Sequence, residues 1–141
     1  MTHFITSIQQ NLNFIKGSPT SKDDIINRLI MLQACKFTPP PLEYIEFLIK
    51  INGMRSFDAN LYGCYELSND VFVDFLDKNL LLDRTDKKCI IVIGENMMDY
   101  LTYNNNEKIY ETRDKQTDQI TYTFDNLENA LSYFFDLEEE Q

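Results

Sequence analysis

CIIVIGENMMDYLTYNNNEKIYETRDKQTDQITYTF, residues 89–124, decides the fold. Residues 89–93 form an unbroken apolar run, short and β-branched, as a central strand is. Gly94-Glu95-Asn96 turns the chain into a second strand over 98–103. Asn104-Asn105-Asn106 offers hairpin-turn chemistry, and 108–113 returns as the partner strand. After a polar turn over 114–118, Ile120, Tyr122 and Phe124 alternate with Thr121 and Thr123 as a last strand.

Outward from this meander the period changes. Upstream, Leu61, Gly63, Tyr65 and Leu67 alternate with Tyr62, Cys64 and Glu66 as a half-buried strand. Asn69-Asp70 then opens a short helix through Leu80, with Asp70, Asp74 and Asp77 on one narrow face. Further back the spacing predicts three helices. Phe4, Ile8, Leu12 and Ile15 mark the first, over 1–16, which Gly17-Ser18-Pro19 ends as a short linker. Ser21 and Asp24 start the second, whose stripe is Ile25, Leu29 and Leu32. The third follows Pro39-Pro40-Pro41, buries Tyr44, Leu48 and Ile51, and stops at Asn52-Gly53. Downstream, Asp125 and Glu128 cap a final helix with Leu127, Leu131 and Phe134 inward.

No β-then-α unit repeats, which argues against a doubly wound parallel sheet. The expectation is α+β: one domain over 1–141, with a mostly antiparallel sheet flanked by N-terminal helices and a C-terminal helix.

Composition narrows the function. The 141 residues carry a net charge of −10, a sign that repels nucleic acid and anionic membrane surfaces. No apolar stretch approaches the roughly 18 residues needed to span a bilayer. The N-terminus lacks a basic region followed by an apolar one, so no signal peptide is expected. Three separated cysteines, Cys35, Cys64 and Cys89, fit reduced, inert thiols in a cytoplasmic setting. The one histidine, His3, lies beside the N-terminus, so His-based triads and zinc sites are not expected. Four glycines compose no phosphate-binding loop or dinucleotide fingerprint. No catalytic residue, cofactor or metal is expected. Paired carboxylates are the remaining chemistry, and they discriminate little in so acidic a chain.

Pro41-Leu42-Glu43-Tyr44-Ile45-Glu46-Phe47-Leu48, then Asn52-Gly53, then Leu61-Tyr62-Gly63 follow one another in a recognisable order. So do Ile90-Ile91-Val92-Ile93-Gly94, Asp99-Tyr100-Leu101 and the closing Phe124-Asp125-Asn126-Leu127. Over roughly residues 20–136 this order resembles the SUKH superfamily, which includes bacterial immunity proteins of polymorphic toxin systems and fungal regulators of cell-wall synthesis. The chain departs from the family in having Cys35-Lys36-Phe37 before the proline-led helix, and in lacking Trp. The resemblance implies a non-enzymatic binding module: an immunity protein that occludes a cognate toxin, as a monomer or weak dimer. A regulatory scaffold of signalling or cell-envelope processes is the second expectation, and a carboxylate-based hydrolase the third.

Charge distribution bears on the partner independently. Residues 116–141 hold seven acids and no Lys or Arg, so most of the net charge is focused there. Such a field would steer a basic partner, such as a nuclease, although Glu138 to Glu140 also read as a solvated tail. The stripe of Asp70, Asp74 and Asp77 reads first as a wet helix face. Contact with a basic partner comes second, and a hard cation third, without an EF-hand pattern. Of the tyrosines, most on the meander belong to the core or to cross-strand pairs, and exposed ones would be interface anchors. The partner-binding candidates are Asp70, Asp74, Asp77, Asp99, Tyr100, Tyr103, Asp118, Glu128 and Asp136.

Overall fold

In the computed structural model, which describes residues 1–65, 72–82 and 86–137, the meander organises everything else. Seven antiparallel strands lie in sequence order: β1 (Ile15–Lys16), β2 (Met54–Arg55), β3 (Ala59–Leu61), β4 (Ile90–Asn96), β5 (Asp99–Asn104), β6 (Ile109–Asp114) and β7 (Ile120–Phe124). Among the described residues five helices accompany them: α1 (Thr2–Gln10), α2 (Lys22–Ala34), α3 (Leu42–Lys50), α4 (Phe75–Leu82) and α5 (Leu127–Phe134). The α+β class with its antiparallel sheet is as expected.

Ile91, Leu101 and Tyr110 of the central strands share one core with Tyr44, Phe47 and Leu48 of α3 and Ile25 and Leu32 of α2. Phe4 and Ile8 of α1 and Leu127, Leu131 and Phe134 of α5 join it. Each such side chain contributes about 1.5–3 kcal/mol on leaving water. The caps follow local chemistry. Ser21 accepts a hydrogen bond from the Asp24 N–H at 3.2 Å, as expected. Pro41 is the N-cap of α3, and Gly53 beyond its end takes φ +85°, open to glycine at little cost.

Several boundaries differ from expectation. The first helix ends at Gln10, because Asn11 turns the chain by accepting the Asn13 N–H at 2.9 Å. Leu12, which continues the helical period, is 96% exposed, and Ile15 and Lys16 enter the sheet instead. Gly17 is no loose linker. Its N–H donates to Gly53 O at 2.9 Å, and a Cβ there would lie 2.0 Å from Asn52 O. Met54–Arg55 is a strand the periodicity did not mark. The strand expected over 61–67 is confined to Ala59–Leu61, with residues 66 and 67 outside the described region.

The helix expected from Asn69 starts only at Phe75. Asp74 precedes it, forming a parallel bridge with Gly63 and capping α4 through the Asp77 N–H at 3.1 Å. The strand beginning at Ile90 runs through Gly94 to Asn96, so the turn is Met97-Met98, with Asn96 accepting both the Met98 and Asp99 N–H groups. The cap of α5 is Asn126, one residue later than expected, accepting the Asn129 N–H at 2.8 Å.

Where β3 leaves the sheet, a side chain takes its place. The Asn79 amide of α4 donates to Val92 O at 2.8 Å and accepts the Val92 N–H at 2.9 Å, as a neighbouring strand would. That anchors α4 on the central strand and satisfies a buried peptide group.

Candidate partner-binding surface

The proposed aspartate stripe does not form among the described residues. Asp70 lies outside them. Asp74 is 1% exposed and meets Arg28 Nε of α2 at 2.5 Å, while also accepting the Tyr65 N–H at 2.8 Å. Burial opposes the Arg28 charge, but the Asp74 carboxylate outweighs it and the guanidinium pKa rises. Asp74 therefore clasps α2, the Gly63-to-Tyr65 segment and the start of α4, and is closed to a partner. Asp77 is exposed in the first turn of α4. The neighbouring Cys64 thiol is buried, which pushes its pKa up to about 12 and makes it a poor nucleophile.

Asp118 has a similar internal commitment. It pairs with Lys87 and lies 3.4 Å from Arg113, whose guanidinium also grips the buried Glu111 at 2.7 Å. The buried Glu111–Arg113 pair is compensated by geometry and does not offer charge to an approaching protein.

Asp99 differs. It sits directly opposite Asp114 in the β5–β6 ladder. Partial burial raises its pKa, and the Asp114 charge adds to the shift. Asp114 accepts the Gln116 and Thr117 N–H groups at 2.8 and 2.9 Å, which hold its own carboxyl below the usual range.

The tyrosines sort themselves by the pleat. Tyr110 is buried, its hydroxyl donating to Glu43 Oε1 at 3.2 Å, and the Tyr103 ring packs against it at 4.9 Å. Tyr100 lies under the Lys115 ammonium, which also binds Glu95 at 2.9 Å. Tyr100 and Tyr103 are half-buried, and their packing is internal. The exposed tyrosines are Tyr122 (54%) and Tyr133 (49%), with ring centroids 4.7 Å apart.

The register assembles one further surface that local sequence conceals. Ala59 pairs with Asn96, which sets the β2–β3 turn beside the β4–β5 turn. The Lys115 N–H donates to Met98 O at 3.0 Å, bringing in the β6–β7 turn. This end of the sheet presents Phe57, fully exposed, with Met97 (86%) and Met98 (63%). Asp58, Asp99 and Asp114 belong to the same three turns and their flanking strand ends. Apolar anchors among carboxylates are what an interface for a basic protein uses. The sequence feature that marks this surface is Met97-Met98, an apolar pair between polar neighbours, which the expected turn at 94–96 and strand from 98 left unremarked.

Glu128 and Asp136 are exposed elsewhere, along a groove of about 1260 Å³ between α1 and α5 that His3, Ser7, Asn11 and Asn129 also line. Among the described residues, no group of three or more His, Cys, Asp or Glu is placed to hold a metal ion. Nor is any described helix long and apolar enough to cross a membrane. No family model matches the chain, and no curated protein sequence does.

Proposed function

We propose that this chain is a non-enzymatic, SUKH-like immunity protein, acting in the cytoplasm, that binds and neutralises a cognate toxin domain of basic character, such as a nuclease. The observation that carries this reading is the sheet end where Phe57, Met97 and Met98 stand among Asp58, Asp99 and Asp114. Burying one such apolar side chain stabilises a complex by about 1.5–3 kcal/mol. The carboxylates and the net charge of −10 favour fast capture of a cationic surface. Binding there occludes the toxin by mass and shape and requires no turnover.

The test is to mix the purified protein with a basic toxin domain encoded beside it. A tight complex is expected that weakens as salt rises above about 0.15 M, where charges are screened beyond about 8 Å. Absence of a complex, together with no protection in cells, overturns the proposal.

A second reading, a regulatory scaffold, is favoured by a separate apolar face. Ile26 of α2 and Leu42 of α3 are exposed around a cleft of about 270 Å³ that Leu29, Ile45 and Ile49 also line. A protein that joins two partners needs two such surfaces. Retrieval of two different proteins by separate substitutions on the two faces would favour the scaffold over the immunity protein.

A further inference from the structure

The two edges of the sheet are defended unequally. Strand β1 is two residues long and carries Lys16, whose ammonium is tied to Gln9 O at 3.1 Å and Asn11 O at 2.6 Å. Shortness and an edge lysine are the usual guards against strand addition. Strand β7 has neither. Its five residues, Ile120-Thr121-Tyr122-Thr123-Phe124, all favour extended structure, include no charge, Pro or Gly, and are exposed at four of five positions. On the inner side it pairs with β6, and the Tyr122 N–H donates to Thr112 Oγ1 at 3.1 Å. Alternation then aims the Thr123 amide outward. Among the described residues, no strand or turn bonds that outer side.

We propose that β7 is a docking edge on which an extended, basic segment of a partner pairs as an eighth strand. This rests on the reading of the chain as a binder of a basic protein, and adds the mode of binding. Main-chain hydrogen bonds would supply affinity, and the exposed Tyr122 and Tyr133 rings a platform for cationic side chains. Charge selects the occupant. Exposed Asp125 follows the strand directly, and residues 116–141 hold seven acids and no Lys or Arg. A second copy paired antiparallel about Tyr122 would set its Asp125 against Gln119 and gain no ion pair, whereas a basic strand sets a cation against Asp125.

The experiment uses the whole isotopically labelled chain and a capped Lys-Val-Lys-Val-Lys-Val peptide. Its controls are the same peptide with every amide N-methylated and a Glu-Val-Glu-Val-Glu-Val peptide. Expected is saturable binding of the first peptide, with amide exchange at Thr123 slowed roughly tenfold, and loss of both effects for each control. If the N-methylated peptide binds equally well and perturbs Asp58, Asp99 and Asp114 instead, strand addition is overturned while the basic-partner reading stands. If the acidic peptide protects Thr123 as strongly, the basic occupant is overturned and the proposal with it. No binding by any peptide overturns it outright, and the toxin-mixing experiment then decides the wider reading separately.

Discussion

Asp99 and Asp114 are directly paired across the β5–β6 ladder, at the end of the sheet that also carries Met97 and Met98. Like charges directly opposed on a sheet weaken it, by about 0.2–1 kcal/mol. Partial burial is the larger cause of the raised Asp99 pKa, and the Asp114 charge adds to it. The pair is a local cost to the free protein that a cationic partner would relieve.

Asp99→Asn is therefore expected to stabilise the free protein by a few tenths of a kcal/mol, roughly, while weakening a basic partner. The sign with pH follows from linkage. A carboxyl with a raised pKa in the folded state binds more protons folded than unfolded, so its penalty is present above the folded pKa and disappears as pH falls below the ordinary carboxylate value. Thermal melts of both proteins should show the variant's advantage shrinking as the solution is acidified. An advantage that grows on acidification would overturn this account.

Asp74→Ala removes the partner of Arg28 and leaves that guanidinium largely enclosed. The expected loss is about 3–5 kcal/mol, increased by the orphaned Tyr65 and Asp77 amides. Urea unfolding checks it. A loss below 1 kcal/mol, roughly the value of an exposed pair, would show that the clasp contributes little.

Gly17→Ala places a methyl against the Asn52 carbonyl, a backbone atom that has no rotamer with which to yield. Overpacking of this kind costs about 1–3 kcal/mol. Hydrogen exchange should report opening first at the Gly17 and Asn52 amides, which join this segment to the end of α3.

Phe57→Ser combined with Met97→Ser should leave the melting curve nearly unchanged, because neither side chain is buried. The same pair of substitutions is expected to weaken the toxin complex by at least about tenfold. Unchanged affinity, measured calorimetrically, would move the interface elsewhere on the molecule.

Cys64 should resist alkylation at pH 8, since burial pushes its thiol pKa up to about 12. Mass spectrometry of the native protein after iodoacetamide treatment would locate any adduct. Rapid labelling of Cys64 would show that the segment between Tyr62 and Tyr65 opens readily.

Local chemistry announced most of the regular structure. The Asn104-to-Asn106 turn, the alternation of β7, the Ser21 cap and the proline-led α3 each depend on neighbours within a few residues, so pattern alone identifies them. The errors have an equally local cause. Leu12 keeps the helical period but Asn11 ends the helix, and the Asp70-Asp74-Asp77 face needs α4 to begin at Asn69, six residues before Phe75. A period of 3.6 does not distinguish a solvated carboxylate from one that caps a helix and holds an arginine 46 positions away.

The antiparallel α+β class and the net charge of −10 follow from residue order and composition, because alternation, turn chemistry and ionisation are properties of short stretches. Which acids remain available to another protein is a matter of three-dimensional arrangement. The pairing of Ala59 with Asn96 gathers Phe57 and Met97, and the approach of Arg28 and Lys87 withdraws Asp74 and Asp118. Register and burial are long-range quantities, set by how the whole sheet and its helices minimise exposed apolar area and unsatisfied charge.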